Sequence, residues 1–190
     1  MKKTLLGLAL ATFAAPAMAH TGHGAAEGLV HGLGHPLLGA DHLLAMLAVG
    51  LWSGLVLPSR VWSGATVFMA AMVVGGAIAL SGVALPMVEG MILASVLLFG
   101  ALVLVSRRGQ SKRLTALSLA AIGFFAASHG FAHVTEMSGM FVAYMAGFLI
   151  STAALHLVGI AIARLVAGRP LAQQALGGAI VLSGLTLAAS

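Results

Sequence analysis

The residues able to do chemistry in this chain gather in two short runs. The first is His31-Gly-Leu-Gly-His35-Pro-Leu-Leu-Gly-Ala-Asp41-His42, and the second is Ser128-His129-Gly130-Phe131-Ala132-His133-Val134-Thr135-Glu136. His156 stands alone further on, and His20 and His23 lie near the N-terminus. On a straight helix His31, His35 and His42 fall within about 40° of one another, while Asp41 points about 120° away from His35. His35 and His42 would then be about 10 Å apart along the axis, too far to chelate one ion. They would form successive stations on a path, unless Gly34, Pro36 and Gly39 bend the segment into a single site. His129, His133 and Glu136 have i, i+4, i+7 spacing, which stacks them on one helix face. Paired imidazoles at i and i+4 let one helix grip a metal ion.

Cysteine is absent, so a metal site must use His, Asp, Glu, Met or backbone oxygen. Imidazole together with carboxylate suits Ni²⁺, Co²⁺ and Zn²⁺, whereas Mg²⁺ and Ca²⁺ prefer oxygen alone. Asp41 and Glu136 would supply two negative charges to a dehydrated dication, and neutral imidazoles would complete its shell. The ten methionines would suit Cu⁺ but are also ordinary packing residues. His156 alone fits an interhelical hydrogen bond as well as an ion site. Glu89 reads as solvated at an interface, and Arg164 as snorkelling to one.

The elements that carry these residues are apolar helices. Of 190 residues 61% are hydrophobic and 7% charged, with mean hydropathy +1.11, too little charge for a water-exposed surface. Lipid must solvate most of the chain. Lys2 and Lys3, the apolar stretch from Leu5 to Ala15, and Pro16-Ala17-Met18-Ala19 have the form of a signal peptide over residues 1–19. Cleavage after Ala19 would place His20 and His23, a potential cation-capturing pair, at a periplasmic N-terminus. Residues 20–190 then form one domain. Apolar runs at about 36–57, 61–83, 86–106, 114–135, 139–163 and 171–189 predict six membrane spans at roughly 20 residues each.

With the mature N-terminus outside, Arg60, Arg107, Arg108, Lys112, Arg113, Arg164 and Arg169 all face the cytoplasm, as the positive-inside rule requires. Glu27, Glu89 and Glu136 fall on or near the other side. The expected architecture is all-α and polytopic, with both ends outside, in a bacterial inner membrane. The sequence pI of about 10.9 therefore reflects topology and not a nucleic-acid partner. The pairs Gly75-Gly76 and Gly177-Gly178 are expected at helix contacts, where small residues let backbones approach.

The run from His35-Pro36 through Gly39, Asp41-His42, Met46 and Val49-Gly50 resembles the HPxxGxDHxxxMxxVG signature of the HupE/UreJ family of hydrogenase- and urease-associated nickel permeases. His129, Ala132, His133 and Glu136 resemble its second motif, HGxAHGxE, with Val134 where that pattern has glycine. His156 matches a further histidine in the family's fifth span. The resemblance implies a permease and not an enzyme, importing Ni²⁺ or Co²⁺ as cargo, with no resident cofactor. His35, Asp41, His42, His129, His133, Glu136 and His156 would be its ion-handling residues, with His31 added by its place on the same helical stripe. No nucleotide-binding loop is visible, so the chain itself is expected to hydrolyse no ATP; no direct ATPase partner is evident, and a homo-oligomer is left open. Protons should compete at the imidazoles, weakening uptake below about pH 6. The rival readings are an intramembrane metalloenzyme, for which H-E-x-x-H and G-x-S-x-G are both missing, and a sensing or assembly subunit.

Overall fold

Runs of Leu, Ala, Val, Phe and Met, punctuated by Gly, Pro, Ser and Arg, fold into helices whose backbone bonds are satisfied within each segment, as lipid demands. The computed structural model describes residues 24–189; the expected signal peptide, His20 and His23 lie outside them. The described residues form seven helices: α1 (Ala25–Leu38), α2 (Ala40–Val56), α3 (Ser63–Leu80), α4 (Val88–Val105), α5 (Lys112–Thr135), α6 (Phe141–Leu165) and α7 (Pro170–Ala188). No strand occurs among the described residues. Helices α3 to α7 are each long and apolar enough to cross a membrane, and α1 with α2 qualifies as one broken pair bent by 80°. This is the architecture of a polytopic membrane protein.

Helix ends follow local chemistry. Ser111 caps α5 by accepting from Leu114 N at 3.2 Å, and Pro170 starts α7 at a position where its missing N–H costs nothing. The break between α1 and α2 falls at Gly39, whose φ of −89° and ψ of 115° are extended. Leu43 N then bonds Gly39 O at 3.0 Å and starts α2.

Small residues set the packing. On α6, Gly147 meets the carbonyl of Leu29 in α1 and Gly159 meets that of Leu47 in α2, while Gly50 of α2 meets the carbonyl of His156. Both halves of the broken pair therefore run alongside α6. Gly75 of α3 lies on the carbonyl of Ala127, and Gly130 of α5 on that of Met72, so α3 and α5 form a second close pair. Gly177 packs against Leu104, as its sequence suggests, but Gly178 faces open space.

The basic residues share one end of the bundle. Arg60 lies with Gly109, Gln110 and Lys112 around one cleft, and Arg107 with Pro170 around another. That end is pinned by Trp52 Nε1 donating to Ser106 Oγ at 3.1 Å. Gln173 Nε2 donates to the carbonyls of Val103 and Ser106 at 2.8 and 2.7 Å. Glu27 and Glu89, in the first turns of α1 and α4, and Glu136, the C-cap of α5, lie at the opposite end.

Candidate functional site

The break at Gly39 changes the geometry expected of a straight helix. In place of separation by about two turns, the rings of His35 and His42 come within 6.1 Å. The 80° bend sets α1 and α2 nearly at right angles, with His35 and His42 on either side of the corner. Glycine at the corner leaves room for this: a Cβ there would lie 2.9 Å from Asp41 Oδ1 and 3.0 Å from His42 Nδ1.

At this corner α5 ends, bringing His129 and His133 to His42. Ring centroids are 4.8 Å apart for His42–His129 and 4.4 Å for His42–His133. One nitrogen from each of the three lies within 4.8 Å of the others. All are buried, at 8%, 0% and 0% exposure respectively. His42 Nε2, His129 Nδ1 and His133 Nε2 have no hydrogen-bond partner. A buried imidazole nitrogen without a partner carries a substantial desolvation cost, so three around one point are a poor structural device and a good ligand set. An inward adjustment of less than about 1 Å each would reach a metal–imidazole bond length of about 2.1 Å.

The opposite ring nitrogens are held. Asp41 Oδ1 lies 2.7 Å from His42 Nδ1 and also accepts from His42 N at 2.8 Å. Ser95 Oγ lies 2.9 Å from His129 Nε2. Tyr144 Oη lies 3.5 Å from His133 Nδ1, and Phe148 packs on the same ring at 3.8 Å. A carboxylate or other partner on the far nitrogen of a ligating imidazole fixes its tautomer and orientation. Asp41 thus stands behind His42 and not beside it.

The remaining candidates surround the trio. Glu136 sits past the end of α5, largely exposed, and its Oε2 lies 3.4 Å from His35 Nε2. His35 bridges toward the centre, with its ring 4.8 Å from that of His133. His31 lies 5.4 Å from His35 and 5.3 Å from Tyr144. His156 is apart: its Nδ1 lies 2.7 Å from Thr152 O, its Nε2 has no partner, and Phe68 separates it from the trio. The Phe68 ring is 5.5 Å from His129 and 5.1 Å from His156. Val134, the departure in the second motif, is accommodated by Gly76 of α3.

Sequence reasoning did not find Ser95, Tyr144 or Phe68. Ser95 had a signal, as the one polar side chain between Glu89 and Ser106; the two aromatics looked like ordinary apolar filling. The profile of the HupE / UreJ protein family matches residues 8–187. Protein HupE of Rhizobium leguminosarum bv. viciae is 39% identical over 193 residues, covering 98% of each chain. No solved structure matches the chain.

Proposed function

This chain belongs to the HupE/UreJ family, and from that premise we propose that it imports Ni²⁺, with Co²⁺ as the alternative cargo, into the cytoplasm for metalloenzyme maturation. The observation that carries the proposal is the buried trio of unpartnered nitrogens from His42, His129 and His133. The protein would lie in the inner membrane after cleavage of residues 1–19, with α1 and α2 forming one of six spans and both ends periplasmic.

Glu136 and His35, at the end carrying the acidic residues, would receive the ion. His20, His23 and His31 are suited to capture before that pair. The trio would then replace hydration water with imidazole, and His156 would take the ion beyond Phe68. The membrane potential alone can drive this. At 100 mV a dication gains about 4.6 kcal/mol, enough for a gradient of roughly a thousandfold or more.

The metalloenzyme rival has the three-imidazole set in its favour, since catalytic zinc uses it too. Against it, the nearest acid–base candidates are already engaged: Asp41 with His42, and Ser95 with His129 and the Ile92 carbonyl.

Proteoliposome uptake of ⁶³Ni²⁺ tests the reading. The wild-type protein should accumulate the ion under an inside-negative potential, and His42→Ala and His129→Ala should fall to the protein-free rate. Unchanged uptake in both variants would overturn it.

A further inference from the structure

Ser95 lies on α4, outside both histidine motifs, and is fully buried. Its Oγ makes two close contacts, 2.6 Å to the carbonyl of Ile92 and 2.9 Å to Nε2 of His129. A hydroxyl has one proton to give and lone pairs to accept with. The Ile92 carbonyl can only accept, so the Ser95 proton goes there. The Oγ lone pairs then face His129, and Nε2 must carry the hydrogen that meets them. A neutral imidazole holds a single N–H. Nδ1 is therefore the bare nitrogen, and it is the His129 atom that is buried without a partner, in a ring that lies beside that of His42.

We propose that Ser95 is a positioning residue, which locks His129 in its Nε2–H tautomer and so presents Nδ1 to a divalent transition-metal ion held by the trio. The inference rests on the reading of the trio as an ion site. Asp41 performs the complementary task at His42, holding Nδ1 and leaving Nε2 free. The two partners differ in charge. Ser95 orients its histidine without adding a negative charge, so the ion gains a fixed ligand and keeps a weaker electrostatic hold than a second carboxylate would give. This also joins α4 to a trio whose histidines come from α2 and α5.

Full-length protein in nanodiscs, labelled with ¹⁵N-histidine, reads the tautomer directly. With His129 assigned by comparison with His129→Ala, wild type should show a protonated Nε2 and a bare Nδ1. Ni²⁺ should bind Ser95→Ala roughly 10- to 100-fold more weakly, the usual effect of removing an outer partner of a metal ligand. The labelled spectrum of Ser95→Ala should then show His129 in mixed tautomers. Ser95→Thr, whose hydroxyl can still bond the carbonyl three residues back, should restore both affinity and tautomer. A wild-type His129 protonated on Nδ1 would overturn the proposal without any variant having to fold. So would wild-type Ni²⁺ affinity in Ser95→Ala where His129→Ala is weakened. If His129→Ala itself binds Ni²⁺ as well as wild type does, the trio reading fails and the role of Ser95 falls with it.

Discussion

At the scale of the residue, the three buried histidines divide their nitrogens between an outer partner and a common centre. Asp41 and His42 show what that division predicts. Asp41→Asn keeps the volume but replaces a carboxylate that orients His42 with a neutral amide, so Ni²⁺ affinity should fall about 10- to 100-fold. His42→Ala removes a ligand and should abolish measurable binding. Isothermal titration of the two variants in detergent separates these outcomes, and equal loss in both would make Asp41 a direct ligand. Glu136 is exposed and paired with His35. Glu136→Gln should therefore raise the half-saturating Ni²⁺ concentration for uptake while leaving the maximal rate near wild type, as measured in proteoliposomes.

At the scale of the element, the corner at Gly39 decides whether the first motif is a path or a site. The ingredients were legible: Gly34, Pro36 and Gly39 marked a segment able to bend. The direction and size of the bend were not, because they depend on how α1 and α2 each settle on the glycines of α6. Helical phase correctly placed His129 and His133 on one face. It could not show that Glu136 lies past the last turn of α5 and turns to His35, since that depends on where the helix stops. Ser95 was hidden for a related reason: its role exists only through contact with another helix. Gly39→Ala tests the corner. The backbone there suits alanine, with φ at −89°, but the new methyl would press on Asp41 and His42. Uptake should drop severalfold while far-UV circular dichroism stays unchanged. Gly75→Leu should instead separate α3 from α5 and lower thermal stability by about 1–3 kcal/mol, read as an earlier unfolding transition in detergent.

At the scale of the whole molecule, the proposed orientation puts the basic end in the cytoplasm and the acidic end in the periplasm. The natural absence of cysteine makes that orientation easy to test. Gln110→Cys, between the arginines of the α4–α5 loop and Lys112, should react with a membrane-impermeant maleimide only after cells are permeabilised. Ser138→Cys, at the acidic end, should react in intact cells once the reagent has entered the periplasm. The opposite pattern would invert the proposed direction of transport. The broken helix pair also has an electrical consequence. A helix C-terminus carries about half an elementary negative charge, from carbonyls left without partners. Both α1 and α5 end at the trio, with His35 and His133 in their last turns. α2 begins there too, and Asp41 in its first turn answers that positive end. The macrodipoles of two helices are thus aimed at the place where a dication would sit. Peptide carbonyls at these two helix ends thus add partial negative charge beside the full charge of Asp41, and they do so without supplying a further carboxylate.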